Sequence, residues 1–363
     1  LFQITKDMEQ PKPIQGRGAQ INPPSRYEKL NKGQDVLDWA LVEAGWEEAD
    51  LKSVYLETHP KTILNKVESP DLPMEWSMNP YQGCEHGCVY CYARNTHPYW
   101  GYSAGLDFER KILIKRNAPK LLEEALQKKN WQAAPVMFAG NTDVYQPAER
   151  QFGITRACLE IFWKYRHPVG IITKNSLVLR DLDLLRQLAS ENLVHVAISV
   201  TTLQEELRRF LEPRTATVSQ RLRTIETLTE AGIPVFAMLA PIIPGLNEHE
   251  ILPMAKAVSE RGALNIGYTM VRLNGDIGPI FEDWIRKHMP DRADKVLNKI
   301  RETHGGYLHD FRPGVRMRGE GNIALIIREQ FQLARRRYFE GRAMPPFNVE
   351  LHEQHKSPQL RLF

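Results

Sequence analysis

The chain has 363 residues, of which 42% are apolar and 25% charged, with a formal charge of +4. These are the proportions of an ordinary globular protein, and the mild positive charge permits an anionic partner without marking a dedicated nucleic-acid binder. The longest apolar stretch, residues 233–246, is broken by Pro234, Pro241 and Pro244 and is too short to span a bilayer. Of the 4 cysteines, three fall within eight positions. A disulfide framework spreads its cysteines, so the pattern fits a reducing, cytoplasmic setting.

Residues 1–74 read as an irregular N-terminal extension. Residues 12–28 are rich in Gly and Pro and are expected to wrap a surface. A short helix is expected over 35–44, and the Pro-containing stretch 70–73 extends the chain. From residue 75 a rhythm begins. Apolar, β-branched runs at 135–139, 169–173, 194–200, 234–240 and 265–271, with a weaker one at 76–81, alternate with amphipathic stretches at 118–129, 149–165, 181–191, 218–231 and 249–261. Gly232 and Gly262 supply helix stops.

This alternation predicts parallel strands joined by right-handed crossovers, with both sheet faces covered. Eight such units close a barrel. Six are present, so the fold class is α/β, a partial (β/α)6 TIM-type barrel over 75–275. Residues 276–363 form a C-terminal helical extension, with helices expected over 284–288, 293–304 and 323–341 and an aperiodic tail from 344. In parallel α/β folds the chemistry sits at the C-terminal ends of the strands.

The cysteines follow the first strand. The segment reads Asn79-Pro-Tyr-Gln-Gly-Cys84-Glu-His-Gly-Cys88-Val-Tyr-Cys91, a C-x3-C-x2-C spacing. Three thiolates on one compact loop can each ligate a separate iron of a cubane, leaving the fourth iron open to an amine and a carboxylate. Fe–S clusters ordinarily take four Cys, so the missing fourth is the informative feature. Gly83 and Gly87 let the backbone turn tightly around such a cluster. The alternative is a Cys3His zinc site using His86 or His97, although zinc sites more often pair two separated ligand units. Cys158 lies in a helical pattern facing the core and reads as a buried structural thiol.

This signature, with an aromatic residue before the third cysteine and a six-unit βα pattern behind it, resembles the radical SAM superfamily. More narrowly the chain resembles its spore photoproduct lyase-like branch, the DNA repair photolyase type. Within that branch it is similar to a bacterial family marked by an N-terminal Gly-Arg-Gly-Ala segment, here residues 16–19, and the run Arg316-Met-Arg-Gly-Glu-Gly321 fits the same family. The broader match covers roughly residues 75–275, the narrower one nearly the whole chain.

The resemblance implies an enzyme with two cofactors, a [4Fe–4S] cluster held by Cys84, Cys88 and Cys91, and S-adenosylmethionine. One electron from a flavodoxin- or ferredoxin-type reductant cleaves the S-adenosylmethionine to methionine and a 5′-deoxyadenosyl radical. The radical then takes hydrogen from a substrate, with a nucleic acid or nucleoside lesion as the implied class. By position, Tyr90, Tyr92, Thr142, Lys174, Ser199, Arg221 and Ala240 are the implied S-adenosylmethionine contacts, with Lys174 meeting its carboxylate. Without the resemblance, Lys174 reads as a strand-end lysine, Ser199 as a small strand residue, the two tyrosines as rim packing, and Arg221 as part of a solvated helix face.

One departure stands out. Where spore photoproduct lyases place a hydrogen-donating cysteine after the second strand, this chain has Gly140 or Asn141. A different donor is then required, with Tyr145 or returned 5′-deoxyadenosine as the options. Arg312, Arg316, Arg318, Arg328 and 335–337 suggest phosphate binding or a solvated, ion-paired face. Residues 316–321 could reach the barrel mouth, and His97 and Trp100 could wall off the cluster. Two further functional readings remain open: a radical enzyme acting on a small molecule or peptide, and a zinc-stabilised nucleic-acid-binding protein.

Overall fold

The computed structural model describes residues 13–24 and 52–356. The helix expected over 35–44 and residues 357–363 of the tail lie outside them. Ten strands are formed among the described residues: β1 (Val54–Glu57), β2 (Leu64–Lys66), β3 (Trp76–Met78), β4 (Tyr81–Gln82), β5 (Lys111–Ile114), β6 (Val136–Phe138), β7 (Val169–Thr173), β8 (Val194–Ser199), β9 (Val235–Met238) and β10 (Asn265–Gly267).

The large sheet runs β10-β9-β8-β7-β6-β3-β2. Every neighbour from β3 to β10 is parallel, and β2 closes one edge antiparallel to β3. The strands therefore follow one another in sequence order around an open, partial barrel. All six expected strands form. Alternation drives the packing of β8, where Val194, Val196 and Ile198 are fully buried while His195 and Ala197 are less so.

The helices between the strands also lie where the periodicity places them. Ala118–Leu126, Leu182–Ser190, Val218–Glu230 and Ile251–Ser259 each bury one stripe. The helix from Val218 starts on a capping box formed by Thr217 and Gln220. The stretch 149–165, expected as one helix, is two, Glu149–Phe152 and Ile154–Lys164. The break falls at Gly153, whose φ is +63°. The buried carboxylate of Glu149 turns back to accept the amide of Thr155 at 2.9 Å, which starts the second helix afresh.

Two features lie outside the expected pattern. A small sheet, β1-β5-β4, ties the N-terminal extension to the segment after the cysteines, with Val54 opposite Lys111 and Glu57 opposite Ile114. The tail is not loose either. Phe347 stacks on His195 at 3.8 Å between centroids, the amide of Asn348 bonds Asn192 O at 3.0 Å, and a helix over Glu350–Lys356 brings His352 to Tyr165 O at 2.6 Å. These contacts cover the end of the barrel where β7 and β8 begin, which is opposite to the cysteines.

The C-terminal helices Ile277–His288, Pro290–Thr303 and Gly321–Tyr338 start earlier than the sequence pattern alone suggested for the first. The first two build a second core around Ile280, Phe281, Trp284, Val296 and Ile300, and this core also contains Ala19, Cys88, Val89 and Tyr90. The cysteine loop is thus a shared wall between barrel and extension.

Candidate active site

The loop begins where β3 ends and passes through β4 into Cys84. Gly83 and Gly87 adopt φ of +81° and +68°, a region that strongly favours glycine. A Cβ on Gly87 would lie 2.8 Å from a Glu109 carboxylate oxygen, so space demands glycine as well. Cys84 and Cys88 are buried and Cys91 partly so, and none forms a disulfide. After Cys91 a 3-10 segment, Tyr92–Trp100, leads away.

The exits of the next strands hold the loop. Gln146 accepts the amide of Glu85 at 3.0 Å and donates to Gly83 O at 3.1 Å. His86 places Nδ1 3.3 Å from Asp143 and Nε2 3.0 Å from Asn175 Nδ2. Asp143 also accepts the Lys174 amide and the Thr173 hydroxyl, each at 2.8 Å. Burial alone would raise the Asp143 carboxyl, but His86 and these donors more than offset it and hold the group below its usual range.

Beyond Tyr90 lies a buried carboxylate, Glu212. It accepts from Tyr90 OH, from Thr201 Oγ1 at 2.6 Å, and from Arg221. Burial would raise Glu212, yet Arg221, then Lys174 and the two hydroxyls, bring it down to about 2. Lys174 is different. Its ammonium stands over the Tyr90 ring, 5.9 Å from the centroid, and has no ion pair or hydrogen bond of its own to a described residue. Burial lowers it, but Cys88 and Glu212 raise it further, so it stays charged.

Burial pushes all three cysteine thiols upward, helped by Asp143 at Cys84 and by Glu212 at Cys88, and Cys84 also feels the other two thiols. Such a trio resists ionising as bare thiolates, whereas a bound iron–sulfur cation makes the thiolate the stable form. The donor set therefore fits the cluster. It fits a Cys3His zinc site less well: His86 is engaged by Asp143 and Asn175, and among the described residues no three His, Cys, Asp or Glu side chains converge as a single-ion site. A cubane does not ask for that convergence, because each thiolate meets its own iron.

The profile of the Radical SAM superfamily matches residues 78–258. An uncharacterised Mycobacterium bovis protein is 31% identical over 253 residues, covering 68% of this chain and 73% of that protein. The chain belongs to the radical SAM superfamily. An uncharacterised Methanocaldococcus jannaschii protein is 28% identical and covers 66% of this chain and 85% of its own length. In fold, the chain is similar to a spore photoproduct lyase mutant solved with bound AdoMet and dinucleoside spore photoproduct, with a TM-score of 0.61, 14% identity and coverage of 82% and 84%. As a radical SAM protein the chain is an enzyme, and its cofactors are a [4Fe–4S] cluster and S-adenosylmethionine, which it cleaves reductively.

Radical SAM chemistry needs groups around the cysteines, and the expected residues divide into two sets. Lys174, Ser199 and Ala240 stand at the exits of β7, β8 and β9, and Tyr90 on the loop itself, with its hydroxyl on Glu212. Tyr92 is half-exposed at the rim, with its hydroxyl on Gly140 O. Thr142 and Arg221 are engaged by the protein instead. Thr142 Oγ1 donates to Tyr81 O at 2.6 Å. All three Arg221 side-chain nitrogens have protein acceptors: Nε bonds Ala216 O at 3.0 Å, Nη1 bonds Ser199 O at 3.1 Å, and Nη2 bonds Glu212 and Thr215.

The structure also places the other residues singled out in the sequence. Tyr145 is fully buried and its hydroxyl is used by Asp181 at 3.1 Å, which does not favour the donor role. Cys158 is fully buried in the barrel core, as a structural thiol. His97 is buried under the loop, with its Cε1 3.2 Å from where a Gly83 Cβ would sit, whereas Trp100 is exposed. Residues 316–321 do reach a strand exit, where Met317 O accepts the Met270 amide at 3.0 Å. Of the seven arginines expected to meet phosphate, four are held inside the chain: Arg312 by Asp310 and Glu320, Arg316 by Asp71, Arg318 by Tyr268 O, and Arg335 by Ile266 O.

Sequence reasoning missed Glu212, Asp143 as a loop anchor, and Arg272. Arg272 lies past β10 against the sulfur of Met317, without an ion pair to a described carboxylate, and burial and then the charge of Arg316 lower it from its usual range. A signal was available for Asp143 and Arg272, which follow predicted strands within a few residues, but not for Glu212, which lies beyond the helix Glu205–Leu211.

Proposed function

We propose that Cys84, Cys88 and Cys91 are the three protein ligands of the cluster, and that Lys174 meets the carboxylate of S-adenosylmethionine beside it. The observation that carries this reading is the pairing of three thiols, two buried and one half-buried, with a half-buried ammonium at the exit of β7 that makes no ion pair or hydrogen bond to a described residue. The cluster, when bound, supplies the electron that cleaves S-adenosylmethionine to a 5′-deoxyadenosyl radical. The protein's own part is positional. Lys174 is a compact point charge suited to one carboxylate. Glu212 holds that ammonium in place without neutralising it by contact, and Arg221 holds Glu212. Ser199 and Ala240 shape the wall, while Tyr90 and Tyr92 border the adenine and the mouth. Thr142 fixes the loop after β6. In this reading the core spans 75–275, flanked by the extensions 1–74 and 276–363, and the enzyme works in a reducing cytoplasm beside a flavodoxin- or ferredoxin-type donor.

For the substrate, we infer a nucleic acid or nucleoside, supported by the likeness in fold to the lyase and by Arg272 as a cation at the mouth. The internally paired arginines favour the second reading, a small molecule or peptide. A fluorescence-anisotropy titration with a single-stranded oligonucleotide at two salt concentrations separates them. Salt-sensitive binding weakened in Arg272→Gln supports the first, and no binding supports the second.

A further inference from the structure

Within the segment 12–28 expected to wrap a surface, residues 17–20 are buried against the cysteine loop. Gly18 stands so close to Gly87 that a Cβ on it would lie 1.8 Å from the Gly87 carbonyl oxygen and 3.2 Å from the Val89 nitrogen. No residue but glycine fits there without moving one backbone or the other. Ala19 beside it is fully buried.

The amides of this arm end on one carboxylate. Gly18 N and Ala19 N donate to the two oxygens of Glu109 at 3.2 and 2.8 Å, and Arg17 Nη1 donates to the Glu109 carbonyl at 3.0 Å. Glu109 forms an ion pair with Arg94, and both side chains are wholly buried. Arg94 then continues to the cysteines: its Nε donates to Cys88 O at 3.0 Å, and Nη1 donates to Ala104 O and Gly105 O at 3.1 and 2.9 Å. Gly105 is itself pressed against the arm, since its Cβ would lie 2.0 Å from Ile21 O. The arm's own turn is pinned by Gln20 Nε2 on Arg17 O at 2.9 Å.

A dry carboxylate that accepts two backbone amides and a guanidinium is tightly held, and each donor depends on the others. Withdrawing the arm would leave Glu109 short of two donors and free Arg94 to reorient away from Cys88. We propose that residues 16–20 are a working part of the cluster site, a clamp that acts through Glu109 and Arg94 on the Cys88 backbone and sets how firmly the loop retains its cluster. The proposal rests on the reading that the loop holds a cluster. Arg94 and Glu109 are positioning residues in it, not ligands.

The test uses the full chain, reconstituted anaerobically. Gly18→Ala dislodges the arm while leaving every charge in place. Gly232→Ala serves as control: it strains another positive-φ glycine, where an added methyl meets nothing within 4 Å. Iron release to a chelator is followed well below the melting temperature, together with the electron paramagnetic resonance spectrum of the reduced protein. The expected result is release at least tenfold faster and a changed spectrum for Gly18→Ala, with Gly232→Ala like wild type. Arg94→Lys, which keeps the charge but loses the fork, should fall between. Equal release and an unchanged spectrum in Gly18→Ala, or equal acceleration in both glycine variants, overturns the clamp alone. A wild-type chain that takes up no cluster overturns the cluster reading, and the clamp with it.

Discussion

Two buried arginine–carboxylate pairs touch the cysteine loop, and they are built differently. Arg94–Glu109 is sealed: backbone amides fill the carboxylate and backbone carbonyls fill the guanidinium. Arg221–Glu212 is equally buried but reaches further, because Glu212 also accepts the Tyr90 and Thr201 hydroxyls and acts on an ammonium, Lys174, that makes no ion pair or hydrogen bond to a described residue. A closed network rigidifies, whereas a half-buried cation with no ion pair among the described residues is an unmet electrostatic demand. The first pair suits holding the loop and the second suits receiving a ligand.

The largest effect expected from this contrast concerns stability. Arg94→Met and Arg221→Met each strand a buried carboxylate and should cost about 3–5 kcal/mol, read as a shift of the urea midpoint of the cluster-free protein. A cost below about 1 kcal/mol at either site would show that its pair is wetter than the geometry indicates.

Lys174 should behave in the opposite way. Lys174→Met removes a charge that makes no ion pair or hydrogen bond to a described residue and meets only the Tyr90 ring and the field of Glu212, so its cost should stay at about 1 kcal/mol, well below that of Arg221→Met. Affinity for S-adenosylmethionine should fall about 10- to 100-fold, equal to about 1.4–2.8 kcal/mol, measured by equilibrium dialysis on the reconstituted protein. A stability loss as large as that of Arg221→Met, with unchanged affinity, would make Lys174 structural and erase the contrast.

The far end of the barrel gives a third reference, with buried polar groups but no cysteines. His167 accepts from Trp131 Nε1 at 3.1 Å and lies 4.8 Å from the His352 ring. Burial, then His352, lowers it from 6.5 to about 3. A depressed histidine keeps its full contribution above pH 6.5 and loses it as pH falls toward the folded value, because only the unfolded chain takes up the proton. The loss should be about 2 kcal/mol by pH 5. Urea midpoints at pH 7 and pH 5 should differ less in His167→Gln, which keeps polar partners but does not titrate. Parallel shifts in both proteins would contradict this.

The barrel was legible because its strands are near-continuous β-branched runs between amphipathic stretches, as in residues 194–199, and because glycines such as Gly232 mark the helix ends. The loop was legible because thiol spacing is local. The small sheet joining β1 to β5 was not, since short strands distant in sequence pair through backbone groups that carry no residue code, although Ile112-Leu-Ile114 offered an apolar run. Thr142 lies just past β6 and Arg221 inside the helix Val218–Glu230, and position alone does not tell which neighbour uses a donor. The role of Glu109 could not be read at all, because a buried carboxylate looks like any surface glutamate until its partners from residues 18, 19 and 94 come together.

The most direct measurement is release of 5′-deoxyadenosine after anaerobic reconstitution, with S-adenosylmethionine and dithionite, from wild type and from Cys88→Ala, alongside iron, sulfide and zinc content. The expected result is a brown wild-type protein that releases 5′-deoxyadenosine and a variant that releases none above background. Equal release from both proteins, or a colourless wild type carrying zinc and no iron, would contradict the assignment of the cysteine loop.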